Sequence, residues 1–142
     1  MNNLIKTINK YLITNKSIIN LKPVINQFNF NFLINSNSFE DNKYKRIKIY
    51  ENNEFNYELL FLYWDKNSET PIHNHPKNGC IIKVLQGELL ECRYKNDNTY
   101  YTNICCNEVS YIDDSIGTHK IIATEKSISV HLYSPSKFYD LK

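Results

Sequence analysis

The chain has 142 residues, 42% of them hydrophobic and 23% charged, with a formal net charge of +2. These are ordinary globular values, and the length suits one domain, residues 1–142, with a core that needs no covalent staples. The small charge, without a dense Lys/Arg stripe, argues against nucleic acid, and no apolar run reaches the ~18 residues of a membrane span.

Leu4, Ile5, Ile8, Tyr11 and Leu12 recur at helical spacing. The basic start lacks arginine, so we read a structural helix there and not a targeting segment. A second short helix is expected over 18–30, with Pro23 near its first turn, and a loop over 35–42. Residues 1–43 thus form a mainly helical and loop region. From Tyr44 to Pro135 the texture changes to short apolar runs broken by Asn, Asp, Gly and Pro. Strands are predicted at 46–50, 57–64, 81–86, 88–94, 109–112, 120–124 and 127–133. Many short strands with frequent turns point to a sandwich or barrel.

The four cysteines, Cys80, Cys92, Cys105 and Cys106, form no Cys-x-x-Cys pair, which argues against a cysteine-based zinc site. A disulfide between the adjacent Cys105 and Cys106 would be strained. Free thiols in a reducing compartment, the cytoplasm, are expected.

The four histidines are His73, His75, His119 and His131. His73 and His75 stand two apart. On an extended chain their side chains share a face, so both imidazoles reach one point, as a metal requires. A polar strand edge would read the same way. Ser129, His131 and Tyr133 alternate along one predicted strand. They form either a hydrogen-bonded relay or one face of an amphipathic strand. Arg46 and His119 by themselves read equally well as surface and loop residues.

Longer strings narrow these choices. His-x-His, four residues, Cys80, six residues and Gly87 is similar to the first cupin motif, with cysteine where cupins keep a glutamate ligand. The strings "IHNHPKNGCIIKVLQGELLE", "YIDDSIGTHKI" and "SVHLYSPSKF", with "ELLFLYW" and "YKR" upstream, resemble the cysteine dioxygenases, thiol dioxygenases of the cupin superfamily. The resemblance covers roughly residues 4–138.

It implies an all-β cupin (jelly-roll) barrel over 44–135 behind a short N-terminal helical region. His73, His75 and His119 would hold iron(II), Fe(2+), with no protein carboxylate among the ligands. Tyr133, backed by His131 and Ser129, would be the catalytic trio. Arg46, beside Tyr44, would bind the substrate carboxylate, and Trp64 would support the pocket wall. Cys80 and Tyr133 would be candidates for a thioether crosslink. The implied reaction adds both atoms of O2 to L-cysteine, giving cysteine sulfinic acid, in a monomer. Alternatives are another small thiol, such as 3-mercaptopropionate or cysteamine, and a non-catalytic metal- or ligand-binding cupin. Family members continue past the Tyr-Ser-Pro stretch with strands near the site's mouth, so a more open pocket is expected here.

Overall fold

The protein is described by a computed structural model over residues 1–139. Helix α1 (Asn2–Leu12) buries Leu4 and Ile8, which its i, i+4 spacing sets on one face. Helix α2 (Lys22–Gln27) carries Pro23 in its first turn, where a missing N–H leaves nothing unpaired. The helix expected over 18–30 is shorter than predicted. A 3-10 turn, Ile19–Leu21, leads into α2, and the chain turns extended at Phe28. Aromatic packing takes over there: Phe28 meets Phe30 edge-on at 4.7 Å between centroids, and Phe30 reaches Phe61 at 6.3 Å. A second 3-10 turn follows at Asn31–Leu33, and the expected loop over 35–42 contains a third, Ser36–Ser38.

Eight strands follow: β1 (Tyr44–Asn52), β2 (Tyr57–Trp64), β3 (Cys80–Gln86), β4 (Glu88–Lys95), β5 (Asn98–Cys105), β6 (Val109–Ile112), β7 (Thr118–Ala123) and β8 (Ser127–Tyr133). They form two antiparallel sheets, ordered β1-β2-β8-β3-β6 and β5-β4-β7. The all-β jelly-roll reading holds. Strand β5 was not expected. Its residues are exposed except Ile104, so this edge strand has no apolar alternation to betray it. Asn96 and Asp97 close its hairpin to β4, both with positive φ, as a two-residue turn of matching twist requires. Gly87 makes the β3–β4 turn at φ +80°, and a Cβ there would strike the Ser127 hydroxyl.

Strand β2 is buried on both faces. Leu59, Phe61 and Tyr63 pack with α1, α2 and Phe30 in one cluster. Leu60, Leu62 and Trp64 face a second cluster between the sheets, with Cys80, Ile82 and Tyr133. A register shift in β1 falls between Lys48 and Tyr50, so Arg46 stays opposite Leu62. Among the described residues no helix is long and apolar enough to cross a membrane.

Candidate metal centre

His73 and His75 do not sit on a regular strand. They lie in the segment joining β2 to β3, which is tied to β7 by an isolated bridge between His73 and His119. Two backbone hydrogen bonds make that bridge, His73 N to His119 O at 2.9 Å and His119 N to His73 O at 3.1 Å. The expected convergence from one strand is thus replaced by convergence across a bridge. The three rings lie close: 5.5 Å between His73 and His75, 4.6 Å between His73 and His119, and 4.3 Å between His75 and His119.

Each ring is oriented by a partner at Nδ1. His73 Nδ1 lies 2.8 Å from the Pro71 carbonyl, His119 Nδ1 lies 2.8 Å from Glu91 Oε2, and His75 Nδ1 lies 3.3 Å from Asp114 Oδ1. A carbonyl or carboxylate oxygen only accepts, so Nδ1 carries the proton in all three rings. In a neutral ring so oriented, Nε2 presents a lone pair. His119 Nε2 and His73 Nε2 stand 3.0 Å apart, and the three ligand atoms fit within 4.8 Å of one another. His75 Nε2 is buried without a hydrogen-bond partner. Two lone pairs held so close repel unless a cation shares them. Nitrogen ligands roughly 2.0–2.1 Å from one metal ion, at right angles, lie roughly 3 Å apart. The donor set fits a metal ion, and it contains no carboxylate.

The electrostatics keep these rings ready to ligate. Burial, with His119 and His73 beside it, pushes the His75 pKa down to about 3, so the ring stays neutral. Burial opposes ionisation of Glu91, but hydrogen bonds from His119 and Ser110 and the nearby Arg93 win and hold its carboxyl low. Ser110 Oγ donates to Glu91 Oε1 at 2.8 Å, and Arg93 Nη2 donates to Ser110 Oγ at 2.9 Å. Burial, then the charge of Glu91, pushes the Cys80 thiol well up. Cys80 is thus a neutral thiol outside the three-histidine group.

A second chain of polar groups runs along β8. Trp64 Nε1 donates to Ser129 Oγ at 2.9 Å, Ser129 Oγ lies 2.7 Å from His131 Nε2, and His131 Nδ1 lies 2.8 Å from the Tyr133 hydroxyl. An indole only donates, so Ser129 Oγ accepts from Trp64. Its second lone pair and its own proton let it pair with His131 Nε2 in either direction, and the ring's tautomer sets whether Nδ1 donates to the Tyr133 hydroxyl or accepts from it. Burial holds His131 neutral and the Tyr133 hydroxyl protonated. Cys80 and Tyr133 are direct cross-strand partners on β3 and β8.

His73 and His119 of the first group and His131 and Tyr133 of the second line one cavity of about 10 Å³, with Arg46, Trp64, Cys80 and Tyr139 in its wall. Arg46 Nε is buried without a hydrogen-bond partner. Among the described residues no carboxylate pairs with this guanidinium. It lies over the rings of Tyr139, at 4.5 Å, and Tyr44, at 5.9 Å. Tyr44 stacks obliquely on Trp64 at 5.0 Å. Tyr139, from the turn after β8, is buried and forms part of the cavity wall. Sequence reasoning missed Tyr139, Glu91 and Asp114. Only Glu91 carried a signal, a charge at an inward position of an alternating strand.

Residues 27–140 match the family model of cysteine dioxygenase type I. The chain is similar to cysteine dioxygenase type 1 of Rattus norvegicus, 34% identical over 113 residues, covering 68% of this chain and 54% of that protein. The Homo sapiens protein of that name is 35% identical over 109 residues, with the same coverage of 68% and 54%. The chain therefore spans about half the length of these curated relatives. In fold it is similar to a cupin superfamily protein from Desulfitobacterium hafniense, with a TM-score of 0.61 at 9% identity over 75% of this chain and 88% of that one. An RmlC-like cupin from Shewanella frigidimarina gives a TM-score of 0.59 at 14% identity, covering 75% and 93%. A three-histidine centre on a jelly roll, matched over most of its length by one family model, makes this chain a member of the cysteine dioxygenase type I family.

Proposed function

We propose that the protein is an iron(II)-dependent thiol dioxygenase that converts L-cysteine and O2 to cysteine sulfinic acid. The observation that carries this is the donor set: three imidazoles that converge with no carboxylate among the described residues, two of them lining the same cavity as an arginine that no described acid pairs with. His73, His75 and His119 would hold the metal. A ferrous ion there supplies a redox-active Lewis acid at which a thiolate and O2 can meet. Because the described residues contribute no anionic ligand, the site favours an anionic substrate group. Arg46 offers a fork suited to a carboxylate, and Tyr44 flanks it. The reaction balances without a further reductant: both atoms of O2 end on sulfur, and the thiol proton leaves with the sulfinic acid.

Tyr133 is the proton-bearing group of this reading. Its hydroxyl is held by His131, itself held by Ser129, which accepts from Trp64, and burial keeps it protonated in the cavity wall. Cys80, its cross-strand neighbour, is positioned for a thioether to the Tyr133 ring. That bond releases two hydrogen atoms and takes O2 as oxidant. Intact mass reads it directly: the native chain is lighter by two hydrogens, and Tyr133→Phe is not.

The test of the function is anaerobic loading with iron(II), addition of L-cysteine, then oxygen uptake. Uptake matched by sulfinate supports the reading; none would leave a metal- or ligand-binding cupin. Arg46→Gln separates cysteine from thiols without a carboxylate, such as cysteamine. Unchanged turnover of cysteine in that variant would remove Arg46 from substrate binding. The four free cysteines suit a reducing, cytoplasmic setting for this chemistry.

A further inference from the structure

The cavity that the histidines line measures about 10 Å³, room for about one water molecule or ion. No thiol with a carboxylate at its other end fits there. Next to it lies a larger cavity of about 240 Å³, bordered by Tyr44 and Pro71. Arg46, Thr70, His73 and Tyr139 belong to the walls of both. Three of these four are fixed by the sheets. Arg46 is on β1. Thr70 exchanges hydrogen bonds with Ile121 of β7, its N–H to Ile121 O at 2.9 Å and its hydroxyl receiving Ile121 N–H at 3.0 Å. His73 is bridged to His119. Tyr139 alone is on a turn outside both sheets.

The Tyr139 ring, which lines both cavities, is held by specific contacts. It meets His73 edge-on at 5.6 Å and Tyr133 at 5.0 Å, and its hydroxyl donates to Asn74 O at 3.0 Å. Its face lies under the Arg46 guanidinium at 4.5 Å. That is the cation a substrate carboxylate needs. The ring and the carboxylate therefore compete for one side of Arg46.

We propose that Tyr139 is the gate of this site and sets which thiols reach the histidines. The inference rests on the small-thiol reading above. The ring swings toward the larger cavity as a carboxylate takes its place on Arg46. A charge-assisted, bidentate contact replaces a cation–π contact, which is the weaker of the two. Once the substrate is seated, the ring closes the wide side and keeps bulk water from the metal. Thiols too large for the ring to close over are refused.

The experiment uses the full chain loaded anaerobically with cobalt(II), which reports thiolate binding by charge-transfer absorption without turnover. Stopped-flow mixing compares the native protein, Tyr139→Phe and Tyr139→Ala, with L-cysteine and with bulkier N-acetylcysteine. Tyr139→Phe loses the bond to Asn74 and should bind L-cysteine a few-fold faster, while Tyr139→Ala should bind it about tenfold faster. Tyr139→Ala alone should accept N-acetylcysteine. Native rates in both variants, with N-acetylcysteine refused by all three proteins, overturn the gate. Cobalt bound in all three with no cysteine signal in any overturns the small-thiol reading and the gate with it. If Tyr139→Ala fails to fold, as its cobalt spectrum would reveal, Tyr139→Phe decides: faster binding supports the gate and an unchanged rate overturns it.

Discussion

Strand β2 has two interiors, one on each face. Toward the helices, Leu59, Phe61 and Tyr63 pack in a cluster of aliphatic and aromatic groups. Toward the second sheet, Leu60, Leu62 and Trp64 border a cluster that also contains a thiol and a phenol and abuts buried histidines. The first interior is closed by ring edges, such as Phe39 on Tyr63 at 5.4 Å. The second is closed by hydrogen bonds that run from Trp64 to Tyr133 and from Ser110 through Glu91 to His119. Burying polar groups is tolerable only when each has a partner. The helical face therefore carries much of the stability, and the barrel face can hold chemistry because its polar atoms are almost all engaged. Two exceptions, His75 Nε2 and Arg46 Nε, are at the site itself, while the Glu58 carboxylate and Arg93 Nε lack hydrogen bonds but lie in ion pairs with Lys48 and Glu91.

This contrast can be broken from either side. The largest effect should come from His119→Ala, which removes one of three ligands. We expect iron content to fall from about one per chain to background, while far-ultraviolet circular dichroism is unchanged. Phe61→Ala should do the opposite, lowering unfolding free energy by ~3–5 kcal/mol in urea titrations. The metal affinity of the folded fraction should stay near native. A large loss of affinity in Phe61→Ala would show that the two interiors are not separable.

Smaller changes sharpen the picture. Glu91→Gln keeps the shape but removes the charge that orients His119, and metal affinity should fall ~10–100-fold in a chelator competition. The pH dependence follows from His75 and His131, both held neutral by burial. In the unfolded chain each takes a proton below about pH 6.5, while folded His75 does so only near about 3. The unfolded state therefore binds more protons in that window. The metal-free protein should have full stability from this source above about pH 7 and lose it progressively as pH falls below about 6.5. Equal urea midpoints on both sides of that value would contradict it.

Much of this was legible because particular residues repeat a physical rule. A short apolar run between turn residues marked β2, and alternation marked β8, with it the shared face of Ser129, His131 and Tyr133. The His-x-His spacing marked two imidazoles, although a bridge to β7 and not a strand of their own brings them together. Residues whose placement depends on distant packing were not legible. Tyr139 has no periodic context, Asp114 reaches His75 from a loop, and β5 lacks a buried face. The extent of α2 was overestimated because Phe28 and Phe30 find partners on β2 and each other, which local propensity does not register.

The central claim is that His73, His75 and His119 would hold one metal ion supplying the redox chemistry by which both atoms of one O2 are added to a thiol. The direct measurement is turnover of L-cysteine by the iron(II)-loaded chain under ¹⁸O2, with the product weighed by mass spectrometry. The account predicts cysteine sulfinic acid carrying both labels. Product with a single label, or recovery of unchanged cysteine or cystine, would contradict it.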